Sequence, residues 1–109
     1  MRISIVLGTR PEIIKFSPII RECERLRLDY FILHSGQHFS YNMDRVFFEQ
    51  LMIPDAKYSL DVGPGTHAEQ TGKILIGAEK IIREEKPDVV LVEGDTNTVI
   101  AAALAAAKL

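Results

Sequence analysis

Residues suited to chemistry gather in four short loops, each following an apolar run. The first is Gly8-Thr9-Arg10, after Ile3 to Leu7. A glycine at such a point lets the backbone turn sharply and approach a ligand closely. The helix that starts behind it presents free N–H groups and a partial positive charge, which suit an anion. Arg10 adds a planar fork of donors that matches a diphosphate. Lys15, about one and a half helical turns further on, adds a point charge. Gly8, Thr9, Arg10 and Lys15 therefore form a candidate phosphate site. The same residues also fit a tight strand-to-helix turn with Arg10 and Lys15 solvated, and residue types alone leave both open. The Gly-Lys-Ser/Thr ending of a Walker loop is absent.

Asp95 stands in Gly94-Asp95-Thr96, directly after Val89 to Val92. An aspartate there could cap the next helix, or it could do acid/base work or contact a sugar. Position alone does not separate these roles. The loop Ser35 to His38 offers Gln37 and His38 as possible cleft contacts. His34 and His38 flank a glycine loop and lack the intervening glutamate of the zincin pattern, so no metal site is expected. Gly63-x-Gly65-x-x-Ala68 matches a relaxed dinucleotide fingerprint. Pro64 interrupts it, and it does not follow the first strand, where that fingerprint belongs. It reads as a loop followed by a helix cap. Cys23 follows the buried spacing of its helix and reads as a core thiol.

Elements that could hold these loops follow from the hydrophobic pattern. Ile3 to Leu7, Tyr30 to Leu33, Tyr58 to Val62 and Val89 to Val92 read as strands. Helical patterns lie between them. Thr9 with Glu12, and Thr66 with Glu69, have the spacing of capping boxes. Ile13, Phe16, Ile20 and Cys23 share one helical face, with Pro18 removing one ladder hydrogen bond. Met43, Val46, Phe47 and Leu51 share a face of the second helix. Ile74, Ala78, Ile81 and Ile82 face inward from the third. A final helix runs to the end of the chain.

Strand and helix thus alternate four times, which implies an α/β fold with a parallel sheet and right-handed crossovers. In such sheets ligands collect at the carboxyl ends of the strands, where all four loops lie. Val89 to Val92 reads as a central strand, yet no further strand follows it. The last helix is apolar on nearly every face, a pattern of burial on more than one side. Residues 1–109 are therefore expected to be one Rossmann-like domain that is incomplete without further sequence or a subunit contact.

Composition bounds the function classes. With 109 residues, 47% of them hydrophobic and 26% charged, the chain has the make-up of one globular domain. A net charge of −2 gives no nucleic-acid footprint, and no basic block suggests a membrane surface. A single cysteine excludes an internal disulfide and fits a reducing, cytoplasmic setting.

Gly8-Thr9-Arg10-Pro11-Glu12-Ile13-Ile14-Lys15, with Ser17-Pro18 after it, resembles the opening G-T-R-P-E-x-x-K-x-x-P of the non-hydrolysing UDP-N-acetylglucosamine 2-epimerases. Gln37-His38 with Asp44 resembles the family's Gln-His loop and the helix after it. Lys86 to Thr96 resembles its K-P-D-x-V-L-V-x-G-D-T. The resemblance spans the whole chain. It implies the N-terminal part of a two-domain glycosyltransferase-B fold. It also implies a cytoplasmic homodimer acting on a UDP-sugar without nicotinamide or metal, in the service of polysaccharide biosynthesis. UDP is eliminated to give 2-acetamidoglucal and then adds back, which yields UDP-N-acetylmannosamine. Arg10 and Lys15 would contact the diphosphate or help assemble the cleft, with Gly8 and Thr9 beside them. Asp95 would be one of the acid/base carboxylates. Gln37 and His38 match a loop that in many bacterial members helps bind a second substrate molecule as activator, but Phe39, Ser40 and Tyr41 replace its polar residues. Two other functions share these features: a glycosyltransferase of the same architecture and, for the 109 residues alone, a non-catalytic nucleotide-binding module.

Overall fold

The computed structural model describes residues 1–109. Four strands and four helices alternate along it: β1 (Arg2–Leu7), α1 (Arg10–Arg25), β2 (Asp29–His34), α2 (Tyr41–Gln50), β3 (Tyr58–Ser59), α3 (His67–Glu85), β4 (Val89–Leu91) and α4 (Asn97–Lys108). The sheet is wholly parallel, in the order β3-β2-β1-β4. From β1 the chain steps outward through β2 to β3. It then crosses back to lay β4 on the other side of β1. The order therefore reverses between β1 and β4, and this switch point opens a crevice beyond the strand ends.

Side chains alternate across the sheet and divide the core in two. Ile5, Leu7 and Ile32 point to one face and pack with Ile13, Phe16, Ile20, Phe48 and Ile53 under α1 and α2. Val6, Phe31 and Leu33 point to the other and meet Ala78, Ile81 and Ile82 of α3 with Ala102 and Ala105 of α4. Each large apolar side chain buried in this way contributes about 1.5–3 kcal/mol.

Helix α1 starts on the expected capping box, with Thr9 as N-cap and Glu12 reaching back. Its apolar positions Ile13, Phe16, Ile20 and Cys23 are all buried. Pro18 lies inside the continuous helix. The carbonyl left without a ladder partner is that of Ile14, and the Ser17 hydroxyl donates to it at 2.8 Å. Helix α3 also begins on its capping box, with Thr66 N donating to Glu69 Oε1 and Glu69 N donating to Thr66 Oγ1. All four of its expected inward residues are buried.

Elsewhere the sequence pattern misleads. β3 covers two residues, not five. Asp61 takes a left-handed φ of 49°, which ends the strand geometry. The segment nevertheless keeps pairing with the β2 loop, through Leu60 N to His34 O and Val62 N to Ser35 O. In α2, Met43 and Val46 are exposed, while Asp44 and Phe48 form the buried face. A paired carboxylate displaces the apolar stripe there, because His34 waits beneath it. β4 lies at the sheet edge, bonded only to β1. Helix α4 buries one side, through Thr98, Ala101, Ala102 and Ala105, and leaves Ile100 and Leu104 exposed.

Candidate functional site

A cavity of about 200 Å³ opens at the switch point between β1 and β4. Its walls include Thr9, Glu12 and Lys15 from the start of α1, His38 from the β2 loop, and Glu93, Asp95 and Thr96 from the β4 loop. Four of the residues singled out from the sequence, Thr9, Lys15, His38 and Asp95, thus share one cleft. Pockets for small ligands usually run to about 300–1,000 Å³, so this wall takes part of a ligand rather than enclosing one. His38 also borders a second cavity of about 410 Å³, with Gln37, Phe39, Pro64, Gly65 and Gln70. The largest cavity, about 510 Å³, lies at the amino-terminal end of β4 among Ile82, Lys86, Pro87, Asp88 and Ala106. It is far from the loops at the strand carboxyl ends and holds none of their residues.

Glu12 forms the floor of the cleft. Its Oε1 accepts from Gly8 N at 2.9 Å and Thr9 N at 3.0 Å, and its Oε2 accepts from the Thr96 hydroxyl at 2.8 Å. One carboxylate therefore joins the first and last loops across the switch point. It also occupies N–H groups at the start of α1 that an anion would otherwise use. Lys15 Nζ reaches Glu93 Oε1 at 3.3 Å across the same gap. The cleft then holds three carboxylates, of Glu12, Glu93 and Asp95, against the single ammonium of Lys15. Such a set suits hydroxyl recognition and proton transfer better than the binding of a highly charged phosphate.

Asp95 does not cap α4. Thr96 is the N-cap, and its side chain accepts from Val99 N. The helix begins one residue later than Asp95 could serve, so its carboxylate lines the cleft on an exposed turn.

Gly8 lies beneath the cleft, not in its wall. A Cβ there would fall 1.8 Å from Ser35 Oγ and 2.6 Å from Thr98 Oγ1. Gln37 is turned inward as well. Its Oε1 accepts from Thr98 N at 2.9 Å and from the Thr98 hydroxyl at 2.6 Å. Its own carbonyl accepts from Gln70 Nε2, which also donates to Gly63 O. Gln37 thereby ties the β2 loop to the start of α4 and to α3, and it leaves His38 as the loop's exposed cleft residue.

Arg10 stands beside the cleft, toward α2. Its Nε donates to Asp44 Oδ1 at 3.1 Å, and Phe39 covers its guanidinium at 4.4 Å. Sequence reasoning missed Glu93 and Phe39, which carry no signal of their own. It also missed the site role of Glu12, whose capping-box spacing was the available clue.

Comparison with known proteins bears on the family and the fold. Residues 21–109 match the family model described as UDP-N-acetylglucosamine 2-epimerase. A UDP-N-acetylglucosamine 2-epimerase of Methanocaldococcus jannaschii is 62% identical over 109 residues, covering 100% of this chain and 30% of that protein. A UDP-2,3-diacetamido-2,3-dideoxy-D-glucuronate 2-epimerase of Pseudomonas aeruginosa is 48% identical over 110 residues, covering 100% of this chain and 31% of that protein. A crystal structure of the Methanocaldococcus jannaschii UDP-GlcNAc 2-epimerase with UDP-GlcNAc and UDP superposes with a TM-score of 0.93 at 61% identity, over 99% of this chain and 30% of that one. The chain thus spans about a third of the length of these relatives.

Proposed function

The chain belongs to the UDP-N-acetylglucosamine 2-epimerase family, and we propose that the whole protein interconverts UDP-N-acetylglucosamine and UDP-N-acetylmannosamine. The observation that carries this proposal is the meeting of Lys15, His38 and Asp95 in one cleft at the switch point. A base removes the C2 proton as the C1–O bond to UDP breaks, which leaves 2-acetamidoglucal. UDP then returns to C1 while a proton arrives on the opposite face of C2. Asp95 is the acid/base candidate in this chain, Lys15 balances developing negative charge, and Arg10 takes the diphosphate. Further catalytic groups and the uridine pocket come from the rest of a glycosyltransferase-B fold, without metal or nicotinamide. The protein acts in the cytoplasm as a homodimer. The exposed apolar residues Ile100 and Leu104 of α4 fit cover either by the rest of the fold or by a second subunit.

The Pseudomonas relative favours a second reading, in which the sugar is a diacetamido uronate. The charge of the cleft weighs against it, because a substrate carboxylate would join those of Glu12, Glu93 and Asp95. The deciding experiment offers the full-length protein both nucleotide sugars without NAD and follows the products by proton NMR. Conversion of UDP-N-acetylglucosamine alone supports the proposal. Turnover only of the uronate overturns the substrate, and sugar transfer or plain hydrolysis overturns the reaction. Asp95→Asn should lower turnover far more than UDP affinity. Unchanged turnover would remove Asp95 from the chemistry.

A further inference from the structure

Behind Arg10 lies a buried polar chain that the reaction does not use directly. His34 ends β2 with its side chain fully enclosed, and so does Asp44 in the first turn of α2. His34 Nδ1 accepts from Gly36 N at 3.1 Å. A neutral imidazole that accepts at Nδ1 carries its hydrogen on Nε2, and that nitrogen lies 2.7 Å from Asp44 Oδ2. The rings of Tyr41 and Phe48 pack on the imidazole at 5.4 and 6.2 Å between centroids and hold its plane. The second oxygen of Asp44 accepts from Arg10 Nε at 3.1 Å.

Arg10 is gripped on one edge and one face only. Asp44 takes Nε, Phe39 stacks on the guanidinium at 4.4 Å, and Phe47 lies 5.7 Å away. Neither Nη has a partner within the chain, and the side chain is 42% exposed. The residue adjoins Thr9, a wall of the cleft. An ion pair that buries its carboxylate is a poor source of stability compared with apolar packing of the same volume, because that charge must leave water. What this one achieves is orientation, with the free end of a rigid fork held outward. A planar guanidinium so presented matches two phosphate oxygens.

From this geometry we propose that Asp44 and His34 are positioning residues that aim the free Nη groups of Arg10 at the diphosphate of the nucleotide sugar. This rests on the nucleotide-sugar reading above. His34 fixes the Asp44 carboxylate, Asp44 fixes Nε, and Phe39 fixes the plane. Removal of any of them leaves the charge of Arg10 in place but lets it swing.

The test uses full-length enzyme with Asp44→Asn, Arg10→Ala, the double variant and Arg10→Lys, measuring UDP Kd by calorimetry and kcat and KM for the sugar nucleotide. The Asp44→Asn amide keeps an acceptor for His34 but sets an N–H against Arg10 Nε. Asp44→Asn is expected to raise UDP Kd and KM by about tenfold, as loss of one aligned hydrogen bond to a charged group does, with kcat changed much less. The double variant should bind UDP no more weakly than Arg10→Ala alone. Lysine cannot hold Asp44 and present a fork together, so Arg10→Lys should weaken UDP about as much as Asp44→Asn, even if the latter folds poorly. His34→Gln, which keeps an N–H near Asp44, should bind UDP more tightly than His34→Ala. Full additivity of Asp44→Asn with Arg10→Ala, or wild-type UDP affinity in Arg10→Lys, overturns the proposal. Wild-type UDP affinity in Arg10→Ala removes the diphosphate role itself. Tight, Arg10-dependent UDP binding without epimerisation spares the positioning role and rejects only the reaction.

Discussion

Glu12 gives the sharpest prediction, because one side chain satisfies three donors. Gly8 and Thr9 are buried, and their N–H groups have the Glu12 Oε1 as acceptor. The Thr96 hydroxyl donates to Oε2 on the cleft side, where water can replace the carboxylate. Glu12→Ala therefore leaves two buried N–H groups unpaired, at about 1–3 kcal/mol each. It also removes a negative charge from a helix N-terminus, worth roughly 0.3–1 kcal/mol. The expected loss is about 2–7 kcal/mol. At about 4 °C per kcal/mol for a domain of this size, the melting midpoint should fall by about 8–28 °C. Glu12→Gln keeps a carbonyl oxygen for both N–H groups and sets its NH2 against the Thr96 hydroxyl, which can turn to accept it, so the charge is the main loss and about 1 kcal/mol, or about 4 °C, is expected. Thermal and urea denaturation followed by circular dichroism measures both. A Glu12→Ala midpoint within about 3 °C of the parent, less than about 1 kcal/mol at this slope, would show that water reaches these N–H groups and that the floor is not dry. Equal losses in the two variants would show that charge, not acceptor geometry, holds the loop.

Three further outcomes follow from the same contacts. Gly8→Ala drives a methyl into Ser35 Oγ and Thr98 Oγ1 and should cost about 1–3 kcal/mol as overpacking; a urea midpoint equal to the parent's would mean the Ser35–Thr98 pair yields freely. Gln37→Ala strips Thr98 N and its hydroxyl of their acceptor and should cost about 2 kcal/mol; amide exchange should quicken at Thr98 while α1 keeps its protection, and unchanged exchange at Thr98 refutes the tie. Bonds from Lys57 and then Tyr58 hold the Glu85 carboxyl below its ordinary value of 4.5, against a smaller opposing effect of burial. A depressed carboxylate contributes stability above the unfolded-state value and loses it as pH falls through the lower folded-state value. Glu85→Gln should therefore lower the urea midpoint at pH 7 and flatten its decline below pH 4.5; parallel pH profiles for parent and variant would refute this.

Much of the molecule was legible residue by residue. Both capping boxes, the inward faces of α1 and α3, the parallel alternation and the gathering of loops at the strand ends needed only neighbours within a turn or two. Local geometry fixes these, because a helix joins each residue to the one four places on, and a capping box spans three. The α2 face failed for a matching reason. Periodicity counts apolar side chains and gives no credit to an aspartate that is buried because His34 and Arg10 meet it there.

The tertiary structure decided every contact between loops. It placed β4 beside β1, which put Asp95 opposite Lys15. It gave the helix cap to Thr96 and left Asp95 in the cleft. It turned Gln37 inward to Thr98, 61 residues away, and joined Glu12 to Thr96 across 84 residues. Such pairs depend on which element packs against which, and that is set by burial of the two apolar faces of the sheet rather than by any spacing along the chain. The sequence by itself determined which residues stand at the strand ends. Only the packing of the sheet decided which of them face a ligand and which hold the others in place.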